Sequence, residues 1–130
     1  MVNTMLLVFV GGAIGAMLRE FLMLGTPHLA DGFPLDIFVA NIVAALLLGL
    51  STALHERKVL SDDTNTLIGT GIMGGLSTFS SFVYGAVVLI GASTQTAVVA
   101  LAYILASLLV GYAAVICGLK LGGQRRPNSD

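Results

Sequence analysis

From Thr66 to Ile90 the chain is apolar, yet the middle of that run reads GTGIMGGLSTFSSF, a cluster of glycines followed by hydroxyls. Crossing a bilayer core takes about 20 apolar residues of helix, and in lipid every backbone polar group must find its partner within the protein. Glycine lowers helix stability by about 1 kcal/mol per site relative to alanine. The pair Gly74–Gly75, followed by Ser77, Thr78, Ser80 and Ser81, is therefore a candidate break in a membrane-crossing helix. Non-helical backbone at that depth is tolerated only when buried in protein or lining a watery cavity. Broken helices in transporters aim their half-helix ends and freed carbonyls at ions. A close-packing face also fits, because Gly71 and Gly75 form a small-xxx-small pair, as do Gly11 and Gly15. The two readings are compatible, and four hydroxyls crowded beside the glycines favour an ion-related break.

Composition supports membrane immersion along the whole chain. The 130 residues are 56% hydrophobic and 10% charged, whereas a soluble domain carries about 25% charged residues. The sequence predicts an all-α membrane protein, a single transmembrane domain over 1–130 with helices at about 4–24, 36–54, 66–90 and 96–121. The N-terminal segment lacks a basic n-region and stays apolar past Arg19, so it reads as a first transmembrane helix rather than a cleaved signal. The loop 25–35 holds the turn formers Pro27, Asp31, Gly32 and Pro34. The stretch HERKVLSDDTN, 55–65, is the strongly charged loop, and its Ser61–Asp63 segment suits a helix N-cap. The tail GGQRRPNSD is polar.

Four crossings place both termini and the 55–65 loop on one side. That side collects Arg57, Lys58, Lys120, Arg125 and Arg126; the other has no Lys or Arg in its loops, and Arg19 lies inside helix one. The positive-inside rule makes the basic side cytoplasmic. A net charge of −1 argues against nucleic acid as a partner.

Enzyme chemistry has little support. There is no carboxylate pair or His/Cys cluster on a common face; His28, His55, Asp31, Asp36, Glu56, Asp62 and Asp63 read as loop residues, and Cys117 as a small apolar-run residue. Three polar features inside the helices need partners. Asn41 stands among Val39, Ala40, Ile42 and Val43; an amide in hydrocarbon is costly unless hydrogen-bonded, so it is either a helix–helix tie or a pathway donor. Arg19 is an intramembrane cation and hence a functional candidate, with Glu20 as partner or snorkelling as the structural alternative. Tyr103, Ser107 and Gly111 recur every four residues and share one helix face, a polar track or a packing seam.

The segments GGAIGAMLRE, FVANIVAALLLG and above all GTGIMGGLSTFSSF resemble the Fluc family of small bacterial fluoride channels, over all four helices. The resemblance implies passive export of cytoplasmic fluoride through an antiparallel (inverted) dimer in the bacterial inner membrane. It implies a structural sodium ion held by the carbonyls of Gly74 and Ser77. It also implies a fluoride pathway of Asn41, Phe79, Ser80, Phe82, Tyr103 and Ser107. An aromatic ring is positive at its edge, so edges can replace part of an anion's hydration without a fixed charge that would trap it.

The chain departs from the family pattern at two positions: Gly85 stands where a glutamate is common, and Val83 where serine is frequent. Two alternatives follow. The chain could be the orientation-fixed partner subunit of a heterodimeric channel, as its one-sided loop charge suggests. A proton-coupled fluoride transporter is the other, for which Arg19 and Glu20 are the intramembrane ionisable groups.

Overall fold

A computed structural model describes residues 2–27, 29 and 32–123, with only the backbone of Val2. His28, Asp31, Arg125 and Arg126, considered above, lie outside the described residues. Helix α1 is Val2–Gly25 and α2 is Leu35–Glu56. The third crossing consists of α3, residues 62–76, and α4, Phe79–Ala92. Helix α5 is Thr94–Gly123. Among the described residues, four helical stretches are thus long and apolar enough to span a membrane, the third being Asp62–Ala92. Large apolar side chains such as Phe9, Phe21 and Leu109 are exposed along them, as lipid-facing surfaces are.

Ser61 caps α3: the Thr64 N–H donates to Ser61 Oγ at 3.2 Å, satisfying a donor that the first helical turn leaves orphaned. The helix is α-helical over Asp62–Asn65, π-helical over Thr66–Met73 and α-helical again over Gly74–Leu76. The π turn was not anticipated from the sequence; such turns are rare and concentrate at functional sites. Within the expected Gly/Ser/Thr segment, the break falls at the hydroxyl residues and not at the glycine pair. Gly74 is helical (φ −64°, ψ −36°), and the chain turns extended only at Ser77 (ψ 143°) and Thr78 (φ −139°, ψ 109°). The reason lies in packing, because Gly75 is used to bring α3 against α1. A Cβ there would strike the Gly12 carbonyl and stand 3.0 Å from Ala16 N.

Backbone-to-backbone contact is how these helices adhere. In lipid there is little hydrophobic drive between helices, so small residues that permit close approach dominate the interfaces. Gly11 meets Gly71, where a Cβ on Gly11 would lie 2.8 Å from Gly71 Cα, while Gly15 packs on the backbone of Ile72 and Leu76 and Gly75 on that of Gly12 and Ala16. A second seam joins α2 to α5, where a Cβ on Gly49 would strike the Val115 carbonyl and one on Gly118 the Leu46 carbonyl. A small cluster of Ala44, Met73 and Leu76, flanked by Leu22, Val43, Ile68 and Ile72, ties α1, α2 and α3 together.

At one end of the bundle Asn3 Nδ2 donates to Asp63 Oδ2 at 3.3 Å, and Arg57 Nη1 to the Gly122 carbonyl at 2.7 Å. These contacts bring the start of α1, the 57–61 loop and the end of α5 together, as four crossings require. A cation at a helix C-terminus also offsets its partial negative charge. Asp36, His55, Glu56, Asp62 and Asp63, read from sequence as loop residues, all occupy terminal turns of helices. His55 Nδ1 lies 3.1 Å from the Leu60 carbonyl, and its Nε2 is 3.6 Å from Asp62.

Candidate ion pathway

The break between α3 and α4 is held open by one amide. Asn41 Oδ1 accepts from the Thr78 N–H at 2.8 Å and from Ser77 Oγ at 3.0 Å. Asn41 Nδ2 donates to the Thr78 carbonyl at 3.3 Å. In a continuous helix the Thr78 N–H would bond the Gly74 carbonyl, four residues back. Likewise the Ser81 N–H, which would serve the Ser77 carbonyl, donates to Thr78 Oγ1 at 3.2 Å, capping α4. Side chains thus divert the helical donors of Gly74 and Ser77.

The intervening Gly75 carbonyl is treated differently: Arg19 Nη1 donates to it at 3.1 Å. Neither expectation for Arg19, pairing with Glu20 or snorkelling outward, describes this contact. An intramembrane cation is costly to leave unmatched, and here it finds the carbonyl-rich end of a half-helix, where partial negative charge accumulates. Asn41, left open between tie and pathway donor, makes the tie.

A cavity of about 200 Å³ opens beside the break, lined by Asn41, Ser77, Thr78, Phe79, Phe82, Ser107 and Leu108. None of these residues is charged. A larger one of about 530 Å³ extends along α3 towards Gly69, Thr70 and Leu48, and shares Asn41, Ser77 and Phe79 with the first. The cavities therefore meet where the helix is broken. Phe79 and Phe82 stand with centroids 6.1 Å apart and ring planes tilted by 34°. Phe82 in turn contacts Tyr103 at 5.2 Å.

Asn41, Phe79, Phe82 and Ser107 are thereby brought to one cavity, with Gly74 and Ser77 at its neighbour. Tyr103 lies behind Phe82 with no exposed surface; its hydroxyl and that of Ser107 are buried without a hydrogen-bond partner. Gly111, on the same helix face, lies beside Ile42 Cδ1 instead. Ser80 is exposed, its Oγ 3.4 Å from Thr78 Oγ1. The sequence reading missed Thr78 as the residue both clamped by Asn41 and capping α4; the spacing Thr78–Ser81 was the available signal. It also missed the contact between Arg19 and Gly75, which no spacing announces.

The family model described as CrcB-like protein, Camphor Resistance (CrcB), matches residues 6–119. The chain belongs to this family. Among its relatives, Fluoride-specific ion channel FluC 3 of Yersinia pseudotuberculosis is 55% identical over 127 residues, covering 98% of this chain and 94% of that protein. Fluoride-specific ion channel FluC 2 of Brucella melitensis is 57% identical over 122 residues, 94% of this chain. The chain spans only 45% of the length of that Brucella relative. FluC of Francisella philomiragia is 36% identical over 119 residues, covering 88% of this chain and 90% of that protein. Membership of the CrcB family, together with four candidate spans, makes this a multi-pass membrane protein.

Proposed function

We propose that the protein is a fluoride-selective channel of the bacterial inner membrane that lets cytoplasmic fluoride leave passively, without catalytic chemistry. The observation that carries this reading is the uncharged cavity at the break, where Asn41, Phe79, Phe82 and Ser107 converge. A fixed cation there would hold an anion too tightly to conduct, whereas ring edges, hydroxyls and an amide bind weakly enough to release it. Helix α4 starts at Phe79, so its positive end also faces the break. The relatives named above as fluoride-specific channels support the choice of anion.

The carbonyls of Gly74 and Ser77, their helical donors diverted by Asn41 and Thr78, suit a hard alkali cation. We assign them to a structural sodium ion, which when bound supplies positive field beside the anion route. The Asn41 clamp and the Arg19 contact keep the neighbouring backbone in register for it.

A second subunit completes the protein in this reading. Phe79 is 78% exposed, and Gly74, Ser77 and Ser80 are exposed beside it. Irregular backbone at membrane depth must be covered by protein or face a watery cavity, and an antiparallel copy of the same chain would cover it. One observation favours a variant of this arrangement, a heterodimer with fixed orientations. Gly85 is packed against the Pro34 ring, with 3.0 Å between its would-be Cβ and Pro34 Cγ. A side chain there would require the Pro34 ring to give by a few tenths of an ångström, and the basic residues favour one orientation.

Fluoride efflux from liposomes containing the purified chain alone tests the proposal. Rapid efflux without a proton requirement is the expected result. Strictly proton-dependent flux would replace the channel by a coupled transporter, and no flux from this chain alone would favour the heterodimer. Labelling of engineered terminal cysteines in cells separates the dimers: accessibility from both sides means an antiparallel homodimer.

A further inference from the structure

Phe33 stands in the loop between α1 and α2, which the sequence presents only as a turn. Its ring meets Tyr103 edge to face, with centroids 5.3 Å apart and planes at 87°, and meets Phe38 at 5.6 Å and 68°. It thereby extends a series of rings that begins at the helix break with Phe79 and Phe82 and passes through Tyr103.

The angles divide this series in two. In an edge-to-face pair the positive edge of one ring rests on the negative face of the other, so that edge is committed to its neighbour. The Phe79–Phe82 and Phe82–Tyr103 pairs are tilted by 34° and 41° and lack that commitment. Rings nearer the break are thus not held edge to face by one another, whereas Phe33 has the geometry of a bolt.

What it bolts is unusual. Tyr103 has no exposed surface, and its hydroxyl is buried without a hydrogen-bond partner in the chain. Buried hydroxyls are rarely left so, and each exception calls for a reason. Phe33 and Pro34, consecutive in one loop, wedge this region from outside: Phe33 against the Tyr103 ring, Pro34 against Gly85 of α4.

We infer that Phe33 is a positioning residue for fluoride passage: its edge-to-face contact holds the Tyr103 ring against Phe82 and so fixes where the Tyr103 hydroxyl meets the ion. The inference rests on the channel reading and extends the route beyond the cavity at the break. A double-mutant cycle of fluoride efflux tests it, using the wild-type chain, Phe33→Leu, Tyr103→Phe and the double variant in liposomes. Phe33→Leu is expected to slow efflux by up to about tenfold, the upper end for one edge-to-face pair, with the fluoride-over-chloride ratio falling as well. In the Tyr103→Phe background the same change should cost less than about twofold, because coupled residues are not additive. Phe33→Tyr, which keeps the ring, should restore near-normal efflux. An equal loss in both backgrounds, or unchanged efflux, overturns the inference; if Phe33→Leu does not yield intact protein, Phe33→Met takes its place in the cycle. A wild-type chain whose flux is strictly proton-dependent overturns the channel reading, and the inference with it. A conducting wild type with no coupling overturns the inference alone.

Discussion

Asn41 and Thr78 form a reciprocal pair: the amide oxygen accepts from the Thr78 N–H at 2.8 Å and the amide nitrogen donates to the Thr78 carbonyl at 3.3 Å. One side chain from α2 thus supplies the acceptor that the helix break takes from the Thr78 N–H, and adds a second donor to a carbonyl that also accepts from the Phe82 N–H at 3.4 Å. Asn41→Ala leaves both groups without the amide in a low-dielectric setting. It should lower stability by about 1–3 kcal/mol, the cost of orphaning one buried group, the Thr78 N–H, since the Thr78 carbonyl keeps the Phe82 N–H. Thermal unfolding of the purified protein in detergent checks this, and an unchanged midpoint would remove Asn41 as the clamp.

Adjacent glycines should respond differently to the same change. A Cβ on Gly75 would strike the Gly12 carbonyl, whereas one on Gly74 meets nothing within 4 Å. Gly75→Ala is therefore expected to destabilise the protein by about 1–3 kcal/mol through overpacking within the subunit, more than Gly74→Ala, whose Cβ meets nothing in its own chain. Equal effects at both sites would contradict the α1–α3 packing described above.

Replacing the rings at the break tests the conduction path directly. Phe79→Ile and Phe82→Ile keep apolar bulk but remove the positive edge, so each should slow fluoride efflux by about two- to tenfold, at about 0.5–1.5 kcal/mol per aromatic contact. Efflux at the wild-type rate from both variants would place the route elsewhere.

Sodium should stabilise the folded protein if it is bound by the Gly74 and Ser77 carbonyls. A ligand present at 100 times its dissociation constant adds about 2.7 kcal/mol. The unfolding midpoint should therefore rise as sodium replaces N-methylglucamine at constant ionic strength. A midpoint indifferent to the exchange would withdraw the sodium assignment.

The membrane character, four crossings and a polar interruption in the third were legible in the sequence because they follow from local chemistry. Too few charges for a water-facing surface and apolar runs of spanning length leave few other folds. The glycine pairs Gly11/Gly15 and Gly71/Gly75 were legible as packing motifs, since their spacing matches one helix face. What was not legible concerns partners far apart in the chain. The contact of Arg19 with Gly75, the clamp of Asn41 on Thr78 and the placement of Phe33 on Tyr103 each join residues whose proximity depends on how helices pack. The same dependence moved the break from the glycine pair to Ser77 and Thr78. By propensity Gly74–Gly75 is the weak point, but Gly75 is occupied in bringing α3 against α1, and the nearest amide able to satisfy a broken turn sits opposite Thr78. Composition and hydropathy determined that the chain lies in lipid and crosses it four times, because those depend on each segment's own solvation. Only the tertiary structure decided which peptide groups leave the helix and what answers them, because that depends on polar groups contributed by other helices.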